Sequence, residues 1–532
     1  MSVTALTQTR SFSLTNTALV FITASLCCVC LWLASQPIAP VARLAAAIAF
    51  GFLNNTMFSL THEAVHGMLH QNRRINETLA RITCAFFPTS FTLQRNSHLT
   101  HHKNNRSDIE RFDYYTASDN HLLKTAQWYS ILTGLYWLLI PVFAVLYSLL
   151  AELVPWRKLI LRSDRFGAQT SALPYLDALQ AISVWRIRLD ILITLLIQSA
   201  IIWMLGVTLI GWLLCYACFA LFWSSLQYAD HAFSRLDREE GAWNLRVGPL
   251  VRALFLNYHF HLCHHRQTTI RWHQLPSAEH RDDPQVDYWR ILYLMWAGPR
   301  PLPGVAISPA ALRRNDLTVN LFLSGIFAAI FALIYWTGDL LYSSATNPAD
   351  LSLAADALFP FVPQAALIYL TISPLLLIAP FLMKTPDHML PLGITLLFEL
   401  LVALAIFYAL PVLPPQLISS QSTGWLWWLA DTVNLDGNNF PSLHVALSVS
   451  AVLAYLPLVK SPWKAFFASW EVLIVLSTLL TRQHGLLDVA GGLLLSLGAM
   501  TFVYPKASKT LADIKQLLLD PATAIQGSAV RQ

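Results

Sequence analysis

Long apolar runs recur along the whole chain, and no other feature of the sequence constrains the fold as strongly. A helix needs roughly 20 apolar residues to cross about 30 Å of hydrocarbon. Runs near that length lie at residues 17–35, 41–60, 127–153, 189–206 and 207–226, and again at 317–342, 362–384, 390–413, 443–459, 465–480 and 486–504. With 55% hydrophobic and 12% charged residues, the composition is too apolar for a water-soluble core alone. The sequence therefore predicts an all-α polytopic membrane protein.

Basic residues are unevenly distributed along the chain. The formal net charge is +5, and 27 of the 35 Lys and Arg lie before residue 317. Lys and Arg concentrate in the cytoplasmic loops of membrane proteins. The excess of basic residues therefore indicates orientation in the membrane, and no nucleic-acid partner is expected.

A polar segment at residues 266–316 divides the chain. It is rich in Arg and Pro and carries one short amphipathic stretch, from Tyr288 to Trp296. Of the 17 His, only His388, His444 and His484 follow it, so the two parts are expected to carry different chemistry. We place the domain boundary in this segment, with one domain at residues 1–310 and the other at 311–532.

The first histidine motif is His62-Glu63-Ala-Val-His66, just past the end of an apolar run. Its two His are four residues apart and share one face of a helix. His-Glu-x-x-His is also the motif of zinc proteases, in which the His bind zinc and the Glu is the general base. Taken alone, this motif leaves a zinc protease open as an interpretation.

Two further motifs repeat a single spacing. They are His98-Leu-Thr-His101-His102 and His261-Leu-Cys-His264-His265. A catalytic zinc site needs three protein ligands, whereas these eight imidazoles are enough for two metal ions, with His231 as a ninth candidate. Imidazole binds iron as well as zinc, so the ligand type alone does not name the metal.

Three segments together resemble the integral-membrane fatty acid desaturases over roughly residues 40–270. They are Thr61-His-Glu-Ala-Val-His-Gly67, His98-x-x-His-His102 and Asn257-Tyr-His-Phe-His-x-x-His-His265. The resemblance implies a di-iron centre that activates dioxygen and removes hydrogen from a lipid acyl chain, with electrons from a ferredoxin-type or similar carrier. The implied iron ligands are His62, His66, His98, His101, His102, His231, His261, His264 and His265. It also implies that Asn257 and His259 orient the ligands.

Other interpretations of this half stay open at this point. A di-iron hydroxylase shares the boxes and differs in adding oxygen to the acyl chain. A membrane-embedded zinc protease would use the first motif, and a lipid-binding module without activity would use none of them. Two irons per chain would exclude the protease, and a double bond in the product would exclude the hydroxylase.

The three boxes must lie on one side of the membrane to share one metal site. The number of crossings between the first and third boxes is therefore even. The runs at 189–206 and 207–226 supply two crossings, so the run at 127–153 must supply none or two. Pro141 near its middle and its basic flanks favour a re-entrant or surface-lying segment.

The loops that carry the boxes are also the basic loops of the chain. Eight Lys and Arg lie between residues 61 and 126, and eleven Arg lie between 227 and 316. This distribution predicts a cytoplasmic di-iron site. In the later part, residues 343–361 and 414–442 contain neither Lys nor Arg, so these two loops are expected to face outward.

Two polar motifs lie in or beside the outward loops. They are Phe440-Pro-Ser-Leu-His444-Val-Ala446 and Thr481-Arg-Gln-His484-Gly-Leu-Leu-Asp488. A His and an Asp four residues apart share a helix face, so Asp488 can orient the His484 ring as a nucleophile. His444 can then protonate a leaving oxygen. The simpler alternative is that both His only cap helices.

These motifs resemble the phosphatidic acid phosphatase type 2 superfamily over roughly residues 360–505, and most closely its inositol phosphorylceramide and sphingomyelin synthase branch. The resemblance implies that His484 takes the phosphate or phospho-headgroup, with Asp488 as its partner and His444 as the acid. The first Lys-and-Arg motif of the superfamily has no good match, and Thr478 stands where its phosphatases carry Arg. Arg482 is the candidate phosphate ligand instead.

The sequence thus predicts a bifunctional lipid-modifying enzyme. A desaturase-like helical domain is followed by a six-span phosphatase or phosphotransferase bundle. Neither the acceptor, which is water or a lipid hydroxyl, nor the acyl chain follows from the residues. The expected localisation is the bacterial inner membrane, with the di-iron site cytoplasmic and the phosphatase-like site periplasmic. The tryptophans Trp425, Trp427 and Trp428 are interpreted as an interfacial belt.

Overall fold

The computed structural model describes residues 3–164, 172–342, 347–415, 424–435 and 437–519. The chain divides into two compact units, Met1–Ile307 and Ser308–Asp520. The described residues are mostly helical, and their few strands are two or three residues long. The chain is an all-α polytopic membrane protein, so the prediction from the apolar runs is confirmed.

The first unit surrounds its histidine boxes with helices. Its helices are α1 Val3–Ala34, α2 Pro40–Val65, α3 Arg73–Phe86, α4 Phe91–Asn104, α5 His121–Leu132, α6 Leu135–Leu150, α7 Trp156–Asp164, α8 Leu173–Gln180, α9 Val184–Leu205, α10 Leu209–Ala229, α11 Pro249–Leu254, α12 His261–Arg266 and α13 Tyr288–Trp296, with a 3-10 turn at Leu275–Ala278. Strands β1 Tyr114–Tyr115 and β4 Arg300–Pro301 pair in parallel, as do β2 Asn244–Arg246 and β3 Gln285–Asp287. Helices α1, α2, α9 and α10 are long and apolar enough to cross a membrane.

Helix α2 carries the first box and is enclosed by other segments. It packs against α1, α3 and α10, and every residue from Asn54 to Val65 is buried. Its buried polar side chains are paired across to other segments, since Asn54 donates to the Phe86 carbonyl and Ser59 to the Phe255 carbonyl, both at 3.0 Å. A helix buried on all faces holds its side chains in one arrangement, which suits a metal site.

The run expected to be re-entrant is broken in the structure. Helices α5 and α6 together are long and apolar enough for one membrane span, but they meet at an angle of 95°. The break lies at Gly134, whose φ of +80° suits glycine and which approaches the backbone of Ala220 so closely that a side chain would collide with it. Pro141 lies inside α6 and is not the break point. With 16 residues, α6 spans about 24 Å, less than the hydrocarbon thickness.

The second unit is also helical throughout its described part. Its helices are α14 Pro309–Tyr342, α15 Ala366–Tyr369, α16 Ile372–Leu377, α17 Ala379–Leu382, α18 Pro386–Ala409, α19 Gly424–Val433, α20 Leu443–Tyr455, α21 Ser461–Leu480, α22 Leu486–Gly498 and α23 Tyr504–Leu519, with 3-10 turns at Ala354–Leu358, Pro363–Ala365 and Leu456–Leu458 and a π-helical turn at Ala499–Val503. Four stretches reach membrane length, namely Pro309–Asp339, α18, α21 and Leu486–Leu518.

Two of the six expected spans are shorter than the other four. The stretches Pro363–Leu377 and Leu443–Leu458 are apolar but fall below membrane length. Within the apolar run at 362–384, Pro363, Pro374 and Pro380 divide the chain into short helices, because proline lacks the N–H that continues a helix. The basic-free loops at 343–361 and 414–442 include residues 343–346, 416–423 and 436, which lie outside the described residues.

The tryptophans of α19 do not form one belt. Trp425 and Trp428 are 72% and 62% exposed, as an interfacial position requires, but Trp427 is 5% exposed. Its indole N–H donates to the Thr481 carbonyl at 3.0 Å, and its ring packs with Tyr369. The interpretation of Trp427 as an interfacial residue was therefore wrong, because three neighbouring tryptophans on a helix point in different directions.

Candidate functional site

All nine histidines expected to bind metal come together in the first unit. They form one group of five, His62, His66, His98, His102 and His264, and one group of four, His101, His231, His261 and His265. Within each group, one nitrogen from every ring lies within 4.8 Å of the others. Two groups of this size are an arrangement that can hold two metal ions.

The helical spacing explains how each box divides between the groups. His98 and His102 are one turn apart on α4 and join the first group, whereas His101 projects from another side and joins the second. In the third box, on α12, His261 and His265 lie one turn apart in the second group, and His264 belongs to the first. His62 and His66 come from the end of α2, and His231 follows the end of α10.

The ring nitrogens converge more closely than hydrogen bonding alone explains. The Nε2 atom of His98 lies 2.9 Å from the Nε2 atoms of both His66 and His102. The Nε2 atoms of His102 and His264 are 3.0 Å apart, and those of His231 and His261 are 3.1 Å apart. One nitrogen of a neutral ring carries at most one proton and cannot serve several such contacts. Nitrogens that converge in this way suit a shared cation.

Burial keeps these imidazoles in the form that binds metal. Burial, followed by the neighbouring His101 and His66 rings, lowers the pKa of His102 to about 3. Burial and the Arg95 charge lower the pKa of His66 to about 4, and burial holds the pKa of His98 well below its ordinary value. Only a deprotonated ring nitrogen coordinates a metal ion, so the rings are ready to bind at neutral pH.

Three rings of the second group are held through their Nδ1 atoms. The Nδ1 atom of His101 lies 2.6 Å from a carboxylate oxygen of Glu110, and that of His231 lies 2.8 Å from the Gly241 carbonyl. The Nδ1 atom of His265 lies 3.3 Å from the side-chain nitrogen of Asn105. Each contact leaves Nε2 as the nitrogen available to a metal ion.

A buried ion pair ties the loop after α4 to the segment that carries His231. Arg106 makes two hydrogen bonds with the Asp113 carboxylate, at 2.8 and 2.9 Å. Asp113 also accepts from the Phe233 backbone N–H at 2.6 Å, and Arg106 donates to the Ser234 carbonyl at 3.1 Å. Both charged side chains are completely buried, so their pairing fixes the two segments relative to each other.

The second unit brings its three expected residues together around the start of α20 and α22. The ring centroids of His444 and His484 are 6.0 Å apart. The His484 Nδ1 atom lies 3.8 Å from a carboxylate oxygen of Asp488, which accepts a 2.8 Å hydrogen bond from the Gly485 N–H. The Ser442 N–H donates to the Asp488 carbonyl at 3.0 Å, so the two motifs are joined through their backbones.

Arg482 lies beside the same residues. Its backbone is left-handed, with φ of +59°, and one guanidinium nitrogen donates to the Phe359 carbonyl at 3.2 Å. Its buried Nε has no hydrogen-bond partner among the described residues. A cavity of about 280 Å³ is lined by Arg482, His484, Gly485, Asp488, Asp356 and others. The cavity thus combines a cation, an imidazole and a helix N-terminus, which favour an anion, with the carboxylates of Asp350, Asp356 and Asp488, which oppose one.

Both sites lie in parts of the chain that match known families. Residues 38–297 match the family model of the fatty acid desaturases, and residues 356–502 match that of the PAP2 superfamily. One chain joins a fatty acid desaturase domain to a PAP2 superfamily domain. A search of curated proteins finds no match. The resemblance that the motifs indicated is confirmed for both domains, and its narrower placement in the synthase branch stays a prediction.

The two domains make the chain a lipid-modifying membrane enzyme. The desaturase domain is of the oxidoreductase type and acts on lipids, and the PAP2 domain is of the phosphatase type. The desaturase family usually uses a di-iron site, and the donors found here fit one. The individual roles of the nine histidines, and those of His444, His484, Asp488 and Arg482, remain predictions at this point.

Some neighbours of the desaturase site differ from expectation. The Asn257 side chain donates to the Trp272 carbonyl at 3.1 Å and accepts from Arg252. The Nδ1 atom of His259 has no hydrogen-bond partner among the described residues. Asn105 and Glu110 do contact rings of the second group, but neither residue belongs to a histidine box. The one hint to Glu110 in the sequence is a carboxylate eight residues after His102.

Proposed function

We propose that this chain desaturates a lipid acyl chain at a di-iron site held by the nine grouped histidines, and that its PAP2 domain cleaves or transfers a phosphate or phospho-headgroup through a phosphohistidine at His484. The observation that supports the first activity most directly is the convergence of nine buried or half-buried imidazoles in two adjoining groups. A ferredoxin-type or similar carrier would supply the electrons.

The donor set fits iron and argues against the protease. His62, His66, His98, His102 and His264 would hold one ion, and His101, His231, His261 and His265 the other. When bound, two irons supply the activation of dioxygen that removal of hydrogen from an acyl chain requires. A zinc protease needs one ion with three protein ligands, whereas His62 and His66 lie here in a group of five.

The residues of the desaturase domain position and shield the site. Glu110 and the Gly241 carbonyl hold the His101 and His231 rings by their Nδ1 atoms, and the enclosed end of α2 covers His62. A small cavity beside Glu63 and Tyr258 is lined by His62, His261 and His264. Glu63 is buried, and one of its carboxylate oxygens has no hydrogen-bond partner among the described residues.

In the PAP2 domain, the geometry supports two transfers at one phosphorus atom. The free ring nitrogen of His484 attacks phosphorus, the bond from phosphorus to the lipid oxygen breaks, and His444 gives a proton to that oxygen. Water or a lipid hydroxyl then attacks phosphorus, the phosphorus–nitrogen bond breaks, and the proton of the acceptor returns to His444. The Asp488 carboxylate, 3.8 Å from the His484 Nδ1 atom, would stabilise positive charge on that ring, and Arg482 would compensate the charge of the phosphate.

The distribution of Lys and Arg supports a cytoplasmic position for the di-iron site. The loops that carry the boxes are rich in both residues, whereas the loops beside His444 and His484 are poor in them. We assign the PAP2 site to the outer side of the membrane on this basis. The carrier of electrons would then meet the desaturase domain in the cytoplasm.

The experiment that tests the desaturase proposal combines metal analysis with product analysis. Replacing His264 with Ala removes a ligand of the first group, so both iron content and double-bond formation should fall together. His280→Ala is the matched control, because His280 belongs to neither group. A wild-type chain without iron, or a product with an added oxygen and no double bond, would contradict desaturation. Wild-type iron content in His264→Ala would contradict the ligand assignment.

A further inference from the structure

A tyrosine outside both PAP2 motifs lies directly against His444. Tyr369 ends the short helix α15, 75 residues before His444 in the chain, and is completely buried. Its ring stacks on the His444 ring with centroids 4.0 Å apart and planes 20° apart. Its hydroxyl oxygen lies 3.2 Å from the His444 Nδ1 atom. The imidazole is therefore held on its face and at one of its two nitrogens.

This contact has a chemical consequence for a residue that must give and regain a proton. The Tyr369 hydroxyl oxygen can accept a hydrogen bond from a protonated Nδ1, which favours the ring forms that keep a proton on this nitrogen. Nε2 then gives its proton to the leaving oxygen from the doubly protonated ring, is bare in the neutral ring, and regains a proton from the acceptor. A ring without such a contact exchanges its proton between two nitrogens and rotates more freely.

We propose that Tyr369 is a positioning residue for His444, which keeps Nε2 as the nitrogen that serves the leaving oxygen. The proposal rests on the proposed function of the PAP2 domain and adds a residue to it. Tyr369 would not touch the phosphate. It acts through the orientation and the tautomer of the His444 ring.

The surroundings of Tyr369 connect it to the other histidine as well. Tyr369 packs in a cluster with Ala366, Trp427 and Ala430. The Trp427 indole N–H donates to the carbonyl of Thr481 at 3.0 Å, three residues before His484. The same apolar cluster thus supports both histidines, whose rings are 6.0 Å apart. A buried and fully packed tyrosine has little freedom to move away from His444.

The test uses two substrates that carry the same phosphate group but different leaving groups. Diacylglycerol leaves as an alkoxide and needs a proton, whereas 4-nitrophenolate leaves without one. The first substrate is the lipid that the full-length wild-type chain hydrolyses, chosen from phosphatidic acid, phosphatidylglycerol and phosphatidylethanolamine. The second substrate is the 4-nitrophenyl ester of the phosphate group of that lipid. Tyr369→Phe keeps the stacked ring and removes only the hydroxyl.

We expect Tyr369→Phe to lower the single-turnover rate of diacylglycerol release about tenfold to a hundredfold, at or below the low end of the roughly 10²- to 10⁴-fold that a general acid contributes. KM for the lipid should stay near that of wild type, and the single-turnover rate of nitrophenolate release should change less than about threefold, because that leaving group needs no acid. The matched control is Tyr455→Phe. It removes another buried tyrosine hydroxyl of the same domain, which donates to the Leu375 carbonyl at 3.0 Å, and should leave both rates unchanged.

Each outcome separates this proposal from the function on which it rests. Equal single-turnover rates for Tyr369→Phe and wild type, or an equal loss in the release of both leaving groups, would overturn the role of Tyr369. If His444→Ala also leaves lipid turnover intact, the proposed function of the PAP2 domain fails. Nitrogen-15 shifts of the His444 ring, assigned with His444→Gln, test Tyr369 independently of turnover. In the neutral ring they should show the proton on Nδ1 in the wild-type chain and a mixture of tautomers in Tyr369→Phe, and a mixture already in wild type would overturn the proposal.

Discussion

Glu110 joins two structural elements at the desaturase site. Its carboxylate contacts the His101 Nδ1 atom at 2.6 Å and also accepts a hydrogen bond from the Tyr175 hydroxyl of α8. Loss of a group that orients a metal-binding imidazole typically lowers metal affinity by about 10- to 100-fold. Glu110 should therefore matter to the second group although it would not touch a metal ion.

We predict that Glu110→Ala lowers iron affinity by about tenfold to a hundredfold, since His101 loses the carboxylate that holds its ring. Glu110→Gln keeps an oxygen at the same place and should lose less. The measurement is iron retained per chain across a series of chelator concentrations. Glu77→Ala is the control, because Glu77 pairs only with Arg73 one turn away on the surface. If Glu110→Ala retains iron as wild type does, Glu110 has no part in holding His101.

How much of the site follows from the sequence depends on the kind of contact. Spacing selected the eight histidines of the three boxes, and the resemblance to the desaturases added His231. The period of a helix also explains why His98 and His102 share a group without His101. It does not show that His231 meets His261, since these residues come from segments that only the tertiary fold brings together. Glu110 and Tyr369 were missed for the same reason. Their partners are 9 and 75 residues away in the chain, without any repeating pattern.

At the scale of elements, hydropathy predicted where apolar segments lie better than it predicted their form. The run at 127–153 has the length of one span, but the bend at Gly134 divides it into α5 and α6. The run at 362–384 was expected to be one span but is divided into short helices at its prolines, whereas Pro141 did not break α6. The position of a proline within a helix and the packing around it decide between these outcomes.

Side-specific labelling tests the course of α5 and α6. A cysteine near residue 170 would test this directly, but that position lies outside the described residues. Leu153→Cys is therefore the test position, because Leu153 follows α6 and is 78% exposed. A membrane-impermeant maleimide should reach it only after the cells are opened, as it should reach Arg238→Cys beside the His231 segment. Met204→Cys, near the turn between α9 and α10, should react from outside.

The native cysteines give little background in this experiment, because none of the seven is exposed. Labelling of Leu153→Cys and Arg238→Cys in intact cells, without labelling of Met204→Cys, would mean that α5 and α6 together cross the membrane once. The boxes could then not share one side, and the metal site proposed here could not form. The result thus bears on the site through topology alone, without any measurement of activity.

At the scale of the whole molecule, two chemistries with different needs share one chain. The desaturase domain needs electrons and dioxygen, whereas the PAP2 domain needs only a phosphorylated lipid and an acceptor. Each domain has its own compact unit, and the residues proposed for each activity all lie within one unit. Neither site requires a residue from the other domain for the steps proposed above.

The last prediction is that the two activities can be removed separately. His484→Ala should abolish release or transfer of the phosphate or headgroup, because no nucleophile remains, while the fraction of unsaturated acyl chains stays at the wild-type level. His264→Ala should remove iron and desaturation while headgroup chemistry continues. The measurement is one lipid analysis of cells that express each variant, the double variant or neither, so that both products are read from the same sample.

If His484→Ala leaves headgroup chemistry intact, the PAP2 domain does not act through a phosphohistidine at this residue. If either single variant loses both products, the desaturase must work on the lipid that the PAP2 domain has modified, or the reverse, and the sites are coupled through their substrate.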